Sequence, residues 1–554
     1  MFRPLTANAA SHTVAILAGT KQTQQQVWAG AAFRGLTNAK NVSREGIPAL
    51  ETELLLQEGK CVVISRVAAL LAAKTDEEKR TLPDKITDME QTLAAADYET
   101  LKAASAAWWA QQWQVSDIEI DGDEENQQGI RFCIFQLHQT LHTAKYGAVF
   151  GAKGLTGEAY NGNTFWDSEV CCLPFYLFNN PEAARSFLKF RFDTLPEAKE
   201  RAAALDCKGA FYPIATISGR ECCDLWQHAS LQLQASTGVA YGLWNYVHQT
   251  GDRAFLYDCG AKMLAEICRM LASRGDWDPE TGKYGYYCVM GPDEYHERVN
   301  NNAYTNKKAQ KTMRWALEGA RLLRQYDASA YQSFDERTRA AAFLPKLAET
   351  ADTIYVPQPD ANGVIEQFDG YFALEDTTLD SVRARLKDPR EYWGGAYGVA
   401  SQTQIIKQAD VMTMLELWHE DYSAAVIKAN WDYYSPRTEH GSSLSACMYA
   451  LTACRWGGAE EAYPFFMKSA LADWNGSGKQ WAGLVYIGGT HPAASGGAWK
   501  VFAQGFAGLE ATENGPVLHP RLPQAWKRLS FICCIRGKQY RITADHEKGT
   551  IEAI

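Results

Sequence analysis

The sequence predicts a mostly α-helical protein in which a toroid of paired helices lies between two segments with strand character. Three observations favour this fold class. Apolar residues recur at helical spacing in a series of windows between about residues 127 and 508. Long connectors rich in glycine, proline and aromatic residues separate these windows, which predicts a site at one end of the toroid. Runs of β-branched and aromatic residues occur in the first 90 residues and again after residue 516.

Composition narrows the class of protein. The chain has 554 residues, 46% of them hydrophobic, which is enough apolar surface for large cores. The net charge of −10 argues against nucleic acid or an anionic membrane as partner, because both favour a basic surface. The 14 cysteines show no C-x-x-C spacing, so we expect buried free thiols in a reducing compartment. The sequence shows no pattern of a signal peptide or a membrane span, and we expect a soluble, cytoplasmic protein.

The segments before the toroid are short. Residues 1–92 are expected to form a partial β-sandwich, and residues 93–126 a helical linker. The expected elements are strands at Thr13–Leu17, Gln26–Ala29 and Cys61–Ser65, a helix over 95–114, and an extended piece with a turn at Ile118–Asp123.

Residues 127–512 are expected to form the helical domain, and residues 513–554 a small β-domain. The helical windows are 129–144, 181–204, 229–249, 252–274, 306–325, 335–350, 404–418, 420–433, 442–456 and 458–472. The strands expected in the tail are Leu529–Ile535, Gln539–Ala544 and Gly549–Ile554.

One loop concentrates the groups that sugar chemistry needs. Gly291–His296 supplies a helix breaker, two adjacent carboxylates and two rings, and an asparagine-rich stretch at 299–306 leads into a helix. Glu294 in such a loop suits a general acid, because rings stack on sugar faces, amides bind hydroxyls, and a partly desolvated carboxyl keeps its proton near neutral pH. The same composition also fits a solvated acidic loop with asparagine caps.

Two further stretches could hold a sugar. Gly154–Glu169 ends in Phe-Trp-Asp-Ser-Glu, where Trp166 offers a ring for packing and Asp167 a carboxylate for hydroxyl groups. Lys407 and Gln408 place a cation and an amide at the head of a helical window. The alternatives are a helix start with Asp167 as a first-turn acid, and an ordinary exposed helix face for Lys407 and Gln408.

A third stretch could hold an anion. His440, Gly441, Ser442 and Ser443 combine a histidine, a flexible backbone and two hydroxyls at a predicted helix N-terminus, which suits an oxyanion or phosphate cradle. Serine N-capping is the alternative. The glycine-rich stretch His491–Gly508 favours structural loop packing.

Taken together and in this order, these stretches resemble glycoside hydrolase family 65, the inverting α-glucoside phosphorylases. The family pattern runs Gly-Leu-(Ser/Thr)-Gly-Glu…Phe-Trp-Asp-(Thr/Ser)-Glu, then Asn/Asp-Glu-Tyr with Asn-Asn-x-Tyr-Thr-Asn, then Lys-Gln-Ala-Asp and His-x-Ser-Ser. The match covers about residues 105–530. It implies an (α/α)6 barrel flanked by an N-terminal β-sandwich and a small C-terminal β-domain.

The resemblance also implies a role for each matched residue. Glu294 falls on the general acid. The residues that fall on the glucose site are Trp166, Asp167, Lys407 and Gln408, and those on the phosphate site are His440, Gly441, Ser442 and Ser443. The stretches Tyr160–Gly162 and Trp226–His228 are expected to line the cleft. The implied partners are an α-glucoside and inorganic phosphate as co-substrate, with no metal or organic cofactor, and a homodimer is expected.

The sequence departs from the family pattern in places. Asn163 replaces a usual His and Ile214 a usual Trp, which would alter the acceptor side, and the N-terminal region is shorter than the family's sandwich. Two other functions stay open: a hydrolase of the same fold with Glu439 as base, and a catalytically silent sugar-binding protein. The motifs leave the acceptor open among several disaccharides and glucosylated polyols.

Overall fold

The computed structural model describes residues 2–10, 12–141, 149–395, 397–476, 481–482 and 485–554. The chain folds as two compact units, Met1–Gln114 and Val115–Ile554. Within the described ranges, no helix combines the length and the apolar character that a membrane crossing needs.

The first unit is an antiparallel sheet with a helix packed on one face. Its strands are β1 (Phe2–Ala10), β2 (Thr13–Thr20), β3 (Gln26–Arg34), β4 (Lys40–Arg44), β5 (Ile47–Glu51) and β6 (Ser65–Ala73), and its helices are α1 (Asp76–Ala95) and α2 (Tyr98–Ser116). The sheet order is β1-β2-β3-β6, and β4 and β5 form a separate hairpin. Trp28 and Leu93 form its core, and a capping box between Thr75 and Glu78 starts α1.

The second unit contains most of the helices. They are α3 (Glu124–Thr140), α4 (Leu173–Asn179), α5 (Pro181–Asp193), α6 (Leu195–Ala204), α7 (Trp226–Leu231), α8 (Gln234–Thr250), α9 (Arg253–Phe255), α10 (Ala261–Arg274), α11 (Ala303–Tyr326), α12 (Ala328–Thr338), α13 (Ala340–Thr353), α14 (Leu379–Arg383), α15 (Val411–Leu417), α16 (Ala424–Tyr434), α17 (Ser445–Trp456), α18 (Ala459–Ala470) and α19 (Pro492–Lys500). A π-helical turn, Ser168–Cys172, precedes α4, and two more lie at Leu256–Gly260 and Val501–Phe506.

The strands of the second unit are fewer and shorter. They are β7 (Ile118–Asp121), β8 (Asp276–Trp277), β9 (Tyr284–Gly285), β10 (Trp481–Ala482), β11 (Val485–Tyr486), β12 (Leu509–Thr512), β13 (Gly515–Leu518), β14 (Arg528–Ile535), β15 (Lys538–Asp545) and β16 (Gly549–Ala553).

Six helical elements of the second unit close into an inner ring. Residues 168–179 contact α8, and α8 contacts α11; α11 contacts α15, α15 contacts α17, α17 contacts α19, and α19 returns to residues 168–179. Helices α3, α5, α10, α13, α16 and α18 pack outside this ring. Every residue of α19 is buried, as expected for a helix enclosed on all sides. The arrangement confirms the predicted (α/α)6 barrel.

The C-terminal sheet is attached to the barrel at its edge. Its order is β16-β15-β14-β7, so β7, from the stretch expected to be a linker, pairs with a strand about 400 residues later in the chain. Trp526 is fully buried and packs against the aromatic side chain of Phe466 in the barrel. Its indole N–H donates to Asp123 at 2.7 Å. The same carboxylate accepts from Tyr463 at 2.7 Å and caps α3 by accepting from the Asn126 amide at 3.1 Å.

One predicted helix is wrong over its first half. The window 404–418 becomes helical only at Val411. Ile406 forms a bridge with Thr438, and its carbonyl accepts from the Glu439 amide at 2.9 Å. Residues 404–410 therefore form an irregular segment of bends with one bridge, because their backbone hydrogen bonds go to neighbouring loops instead of to a helix.

Two other predicted elements differ from the structure. The predicted strand Cys61–Ser65 is displaced, since β6 begins at Ser65. The stretch after His491, predicted as loop packing, forms α19. Residues 142–144 of the first window lie outside the described residues. The cysteines are free thiols, most of them buried, although Cys61, Cys222 and Cys288 are exposed.

The contact that closes the ring depends on a glycine. A Cβ at Gly496 in α19 would collide with the carbonyl oxygen of Cys171 and lie 2.7 Å from Cys172 Cα. We expect Gly496→Ala to destabilise the protein by about 2 kcal/mol through overpacking, measured by thermal or urea denaturation.

Gly319→Ala in α11 is the matched control. Its Cβ would lie 3.6 Å from both Leu256 and Leu264, an ordinary contact. This variant is expected to stabilise by up to about 1 kcal/mol through helix propensity. Equal effects of the two substitutions would contradict the packing argument.

Candidate active site

The predicted site residues all lie just before the N-terminal ends of inner-ring helices. Trp166 and Asp167 precede residues 168–179, Glu294 precedes α11, Lys407 and Gln408 precede α15, and His440–Ser443 precede α17. Because consecutive members of the ring are packed side by side, loops far apart in sequence meet at this edge. The partial positive charge of helix N-termini also makes the edge favourable for anions.

Glu294 lies among three side chains. Its Oε2 is in contact with Lys407 Nζ, and its Oε1 is 3.9 Å from His228 Nδ1. The Tyr392 hydroxyl donates to its backbone carbonyl at 3.0 Å. The carboxyl side chain is 20% exposed, so it faces the cleft from a mostly covered position.

The preceding residue, Asp293, fastens this loop to the rest of the site. One carboxylate oxygen accepts from the backbone amides of Tyr295 at 3.1 Å and Lys407 at 2.9 Å. The other pairs with His296 Nδ1 at 2.5 Å and accepts from Gln367 at 3.0 Å. Burial lowers the pKa of His296, but the charge and hydrogen bond of Asp293 together with the Thr403 carbonyl more than offset this, so the net shift is upward. Its Nε2 lies 2.8 Å from the Thr403 carbonyl, as a protonated imidazole requires.

Asp410 supports the loop from the other side. Its carboxylate accepts from the Asp293 amide at 3.1 Å and from the side chain of Asn302 at 3.0 Å. Burial raises its pKa to about 7, and the nearby Asp293 charge adds to that. Gly291 leaves room for these groups, because a Cβ there would collide with Asp410 and lie 2.5 Å from Asn302. Asn302 also caps α11, so the asparagine-cap interpretation of this stretch is right for one residue.

Lys407 joins the loop Gly291–His296, called the acid loop below, to the stretch His440–Ser443, called the cradle stretch. Its backbone carbonyl accepts from the Gly441 amide at 2.9 Å, while its ammonium contacts Glu294. Burial lowers the pKa of Lys407, but the charge and hydrogen bond of Glu294 raise it further, so the net shift is upward. Two loops separated by more than 140 residues are thus connected through one residue.

The cradle stretch has an unusual backbone. His440 has φ of 57°, a left-handed conformation that is costly for a residue other than glycine. Its Nδ1 lies 2.9 Å from the hydroxyl of Ser445, which also accepts from the Ala409 amide at 3.1 Å. Burial lowers the pKa of His440 to about 3, so the imidazole is neutral. Similar positive φ values occur at Tyr160 and Asn161.

The serines of this stretch are not the N-cap of α17. The helix begins at Ser445, and Leu444 at the N-cap has no side-chain capping bond. The Ser442 hydroxyl accepts from the Leu444 amide at 3.3 Å, and Ser442 and Ser443 are both half-buried. Since the Gly441 amide donates to Lys407, an anion here would be held chiefly by the hydroxyls and the imidazole.

The glucose-site candidates lie on the same edge. Trp166 is buried, and Asp167 is half-buried with no capping bond from its side chain. Burial raises the pKa of Asp167 to about 7, and the charges of Glu169 and Glu294 raise it further. Gln408 contacts the Pro292 carbonyl through Nε2, and its buried Oε1 has no hydrogen-bond partner among the described residues. An amide oxygen and a carboxylate are therefore placed to accept hydrogen bonds from a polyol.

The other residues near the site include some that the sequence predicts to line the cleft and one, Tyr392, that it does not predict. His228, expected to line the cleft, lies near Glu294, whereas Trp226 is 56% exposed. Tyr160 faces the cleft: burial raises its hydroxyl pKa, and the charges of Lys407, Glu294 and Asp167 all act on it. Tyr392 was missed, although the sequence Tyr-Trp-Gly-Gly that contains it resembles the aromatic, glycine-containing connectors that were noted.

Comparison with family models gives two matches. The model described as glycosyl hydrolase family 65 central catalytic domain matches residues 131–500, and the model of the C-terminal domain of the same family matches residues 509–554.

Curated relatives cover most of the chain. A nigerose phosphorylase from Lachnoclostridium phytofermentans is 42% identical over 82% of this chain and 63% of its own length. A 1,2-alpha-glucosylglycerol phosphorylase from Bacillus selenitireducens is 38% identical over 82% of this chain and 61% of its own. A kojibiose phosphorylase from Caldanaerobacter subterraneus is 31% identical over 97% and 72%. The matched region thus spans a little over three fifths of the length of the first two relatives.

A solved structure agrees with these matches. A protein from the human microbiome, provisionally described as a kojibiose phosphorylase, superimposes with a TM-score of 0.88 at 30% identity. The match covers all of this chain and 72% of that one.

The buried pair of Asp293 and His296 generates a testable prediction. Asp293→Asn leaves a buried imidazolium without its counter-charge, and we expect a loss of roughly 3 kcal/mol at pH 6. The stabilising contribution of a histidine with a raised pKa is present at low pH and fades as pH rises through that pKa. The deficit of the variant should therefore be smaller at pH 9, as measured by urea denaturation at both pH values.

Asp432→Asn serves as the control, because Asp432 forms an exposed pair with Lys428 at 2.6 Å. It should change stability by less than about 1 kcal/mol at either pH. A deficit in Asp293→Asn that grows with pH would contradict the assignment of charge to His296.

Proposed function

Since this chain belongs to glycosyl hydrolase family 65, we propose that it is an inverting phosphorylase. In this proposal it cleaves an α-glucoside with inorganic phosphate and yields β-glucose 1-phosphate and a free acceptor. The observation that carries the proposal is the connection through Lys407, which joins one carboxylic acid, Glu294, to a stretch suited to an anion, His440–Ser443. The catalytic, glucose-binding and phosphate-binding roles named from the sequence are part of the same proposal.

Glu294 acts as the general acid. It gives its proton to the glycosidic oxygen as the bond to the anomeric carbon breaks, and the acceptor leaves as a neutral alcohol. Asp293, through its four hydrogen bonds, holds the backbone that carries this carboxyl. His228 and Tyr392 contact the acid loop and lie where an acceptor would enter.

Phosphate is the nucleophile. An inverting hydrolase needs a second carboxylate to activate water, roughly 6.5–9.5 Å from the acid. Phosphate is already an anion and needs only to be held opposite the leaving group. Ser442 and Ser443 supply hydroxyl donors, and the neutral His440 supplies a ring nitrogen without an added charge. No metal or organic cofactor is required by this chemistry.

Glu294 must be protonated when the substrate is bound, because a general acid needs a proton to donate. In the free protein the contact with the Lys407 ammonium favours the ionised carboxylate. Sugar hydroxyls that bind Lys407 weaken that contact, and a phosphate anion in the cradle stretch adds a like charge, which disfavours the ionised form of Glu294. Protonation of Glu294 is therefore coupled to occupation of both subsites.

The glucose subsite is formed by Trp166, Asp167, Lys407 and Gln408. The indole supplies an apolar face, while the carboxylate, the ammonium and the unpartnered amide oxygen of Gln408 supply hydrogen bonds for hydroxyl groups. The acceptor stays open within the α-glucoside class. The free thiols fit a reducing compartment, and the cytoplasmic location and the homodimer stay predictions.

The first test is phosphate dependence. Purified protein is incubated with nigerose, 1,2-α-glucosylglycerol, kojibiose, maltose and trehalose, with and without inorganic phosphate, and glucose 1-phosphate and glucose are quantified separately. We expect glucose 1-phosphate only with phosphate, from one preferred substrate, with the β anomer identified by NMR. Release of glucose independent of phosphate would favour a hydrolase with Glu439 as base, and sugar binding without turnover would favour a silent binding protein.

Replacing the acid provides the second test. Glu294→Gln keeps the shape of the side chain but cannot donate a proton, so kcat should fall by about 10³-fold or more, with glucoside affinity within a few-fold of wild type. The Ser442→Ala/Ser443→Ala double variant is the comparison, and it should instead raise the KM for phosphate. A folded Glu294→Gln protein that retains more than a tenth of wild-type kcat would rule out the acid role.

A further inference from the structure

A buried lysine lies behind the proposed glucose subsite, and none of the carboxylates that the structure describes is in direct contact with it. Lys308 is on α11, one turn after Tyr304, and its side chain is fully buried. Its ammonium donates to the Tyr304 hydroxyl at 2.5 Å. Among the described residues, Lys308 forms no ion pair, and the buried carboxylate of Glu169 acts on it only through its charge.

Three aromatic rings surround this ammonium. Its Nζ lies 4.9 Å from the ring centroid of Tyr304, 5.6 Å from that of Trp166 and 5.7 Å from that of Tyr241. Trp166 and Tyr304 also contact each other, with centroids 6.1 Å apart. These rings come from three consecutive parts of the inner ring, namely the loop before residues 168–179, α8 and α11. A cation attracts the faces of all three rings, and this attraction is strongest when water is excluded.

We propose that Lys308 is a positioning residue for the glucose subsite, which holds the indole of Trp166 in the orientation that a glucosyl ring requires. This inference rests on the proposed function, because it takes Trp166 as the surface on which the sugar packs. Lys308 does not reach the substrate. It acts through Trp166, so its loss should weaken glucosyl binding more than it slows the chemical step.

Stability alone does not account for this lysine. Burial lowers the pKa of Lys308 to about 7, which reflects the cost of keeping an ammonium away from water, while the charge of Glu169 raises it. A methionine of similar length would fill the same space without that cost. If Lys308 served only to fill space, replacing it with methionine would therefore stabilise the protein and leave its affinity for the glucosyl ligand unchanged.

The test measures binding without turnover. Isothermal titration calorimetry with β-glucose 1-phosphate, in the absence of any acceptor, reports the glucosyl and phosphate subsites together, and titration with inorganic phosphate reports the second alone. In Lys308→Met we expect the Kd for β-glucose 1-phosphate to rise about tenfold, the Kd for phosphate to stay within twofold, and the melting temperature to stay equal or rise. In turnover, KM for the α-glucoside should rise while kcat changes by less than about threefold.

Two further variants show whether the effect passes through the indole. In a Trp166→Phe background, Lys308→Met should cost less than about twofold in Kd, because residues that act as one unit are non-additive. Lys311→Met is the control on the same helix, since Lys311 pairs with Asp421 at 2.8 Å and lies outside the ring cluster. It should leave both affinities unchanged.

Each outcome decides between the proposals. If wild type binds β-glucose 1-phosphate and Lys308→Met binds it equally well, the role of Lys308 is overturned and the proposed function stands. If the wild-type protein binds phosphate but not β-glucose 1-phosphate, both the role of Lys308 and the proposed function are contradicted. Should Lys308→Met fail to fold, Tyr304→Phe removes only the hydroxyl that Lys308 contacts, and an unchanged Kd in that variant would also overturn the inference.

Discussion

Closure of the inner ring brings the loops of the candidate site together. Helix α19 packs back onto residues 168–179, so six helices from a stretch of more than 300 residues share one edge. The connections that end at this edge carry Trp166, Glu294, Lys407 and His440. Each of these loops contains little regular secondary structure and is held in place by contacts with neighbouring loops. The ring thus supplies rigidity, and the loops supply chemistry, a division that suits a binding site built from distant segments.

Buried charge is the second organising feature of this edge. Asp293 and Asp410 lie side by side in the interior, an arrangement that is costly unless donors surround both carboxylates. Backbone amides, Asn302, Gln367 and the charged His296 provide those donors. In return, the loop that presents Glu294 has little freedom to move. Positioning of an acid to within a fraction of an ångström requires this kind of support.

Lys407 links the acid loop and the cradle stretch. Its backbone lies between the acid loop and the cradle, and its side chain contacts the acid directly. A ligand that moves this ammonium changes the electrostatic environment of Glu294 even when it does not touch it. In a phosphorylase this coupling would let the acid gain its proton only when the sugar and the anion are both present. Lys308 is a second buried cation near the site, 5.6 Å from the ring centroid of Trp166.

Helical periodicity and loop chemistry are local properties, so the fold class and the site candidates could be predicted from the sequence alone. Tertiary contacts decided the rest. Residues 404–410 carry a helical pattern but are irregular, since Ile406 forms a bridge with Thr438 in a distant loop. The Gly441 amide is taken by Lys407, and β7 joins a sheet formed by the end of the chain. Tyr392 reaches the acid loop across almost 100 residues. Pairings at such separations leave no periodic signal in one sequence, and so only the folded ring showed them.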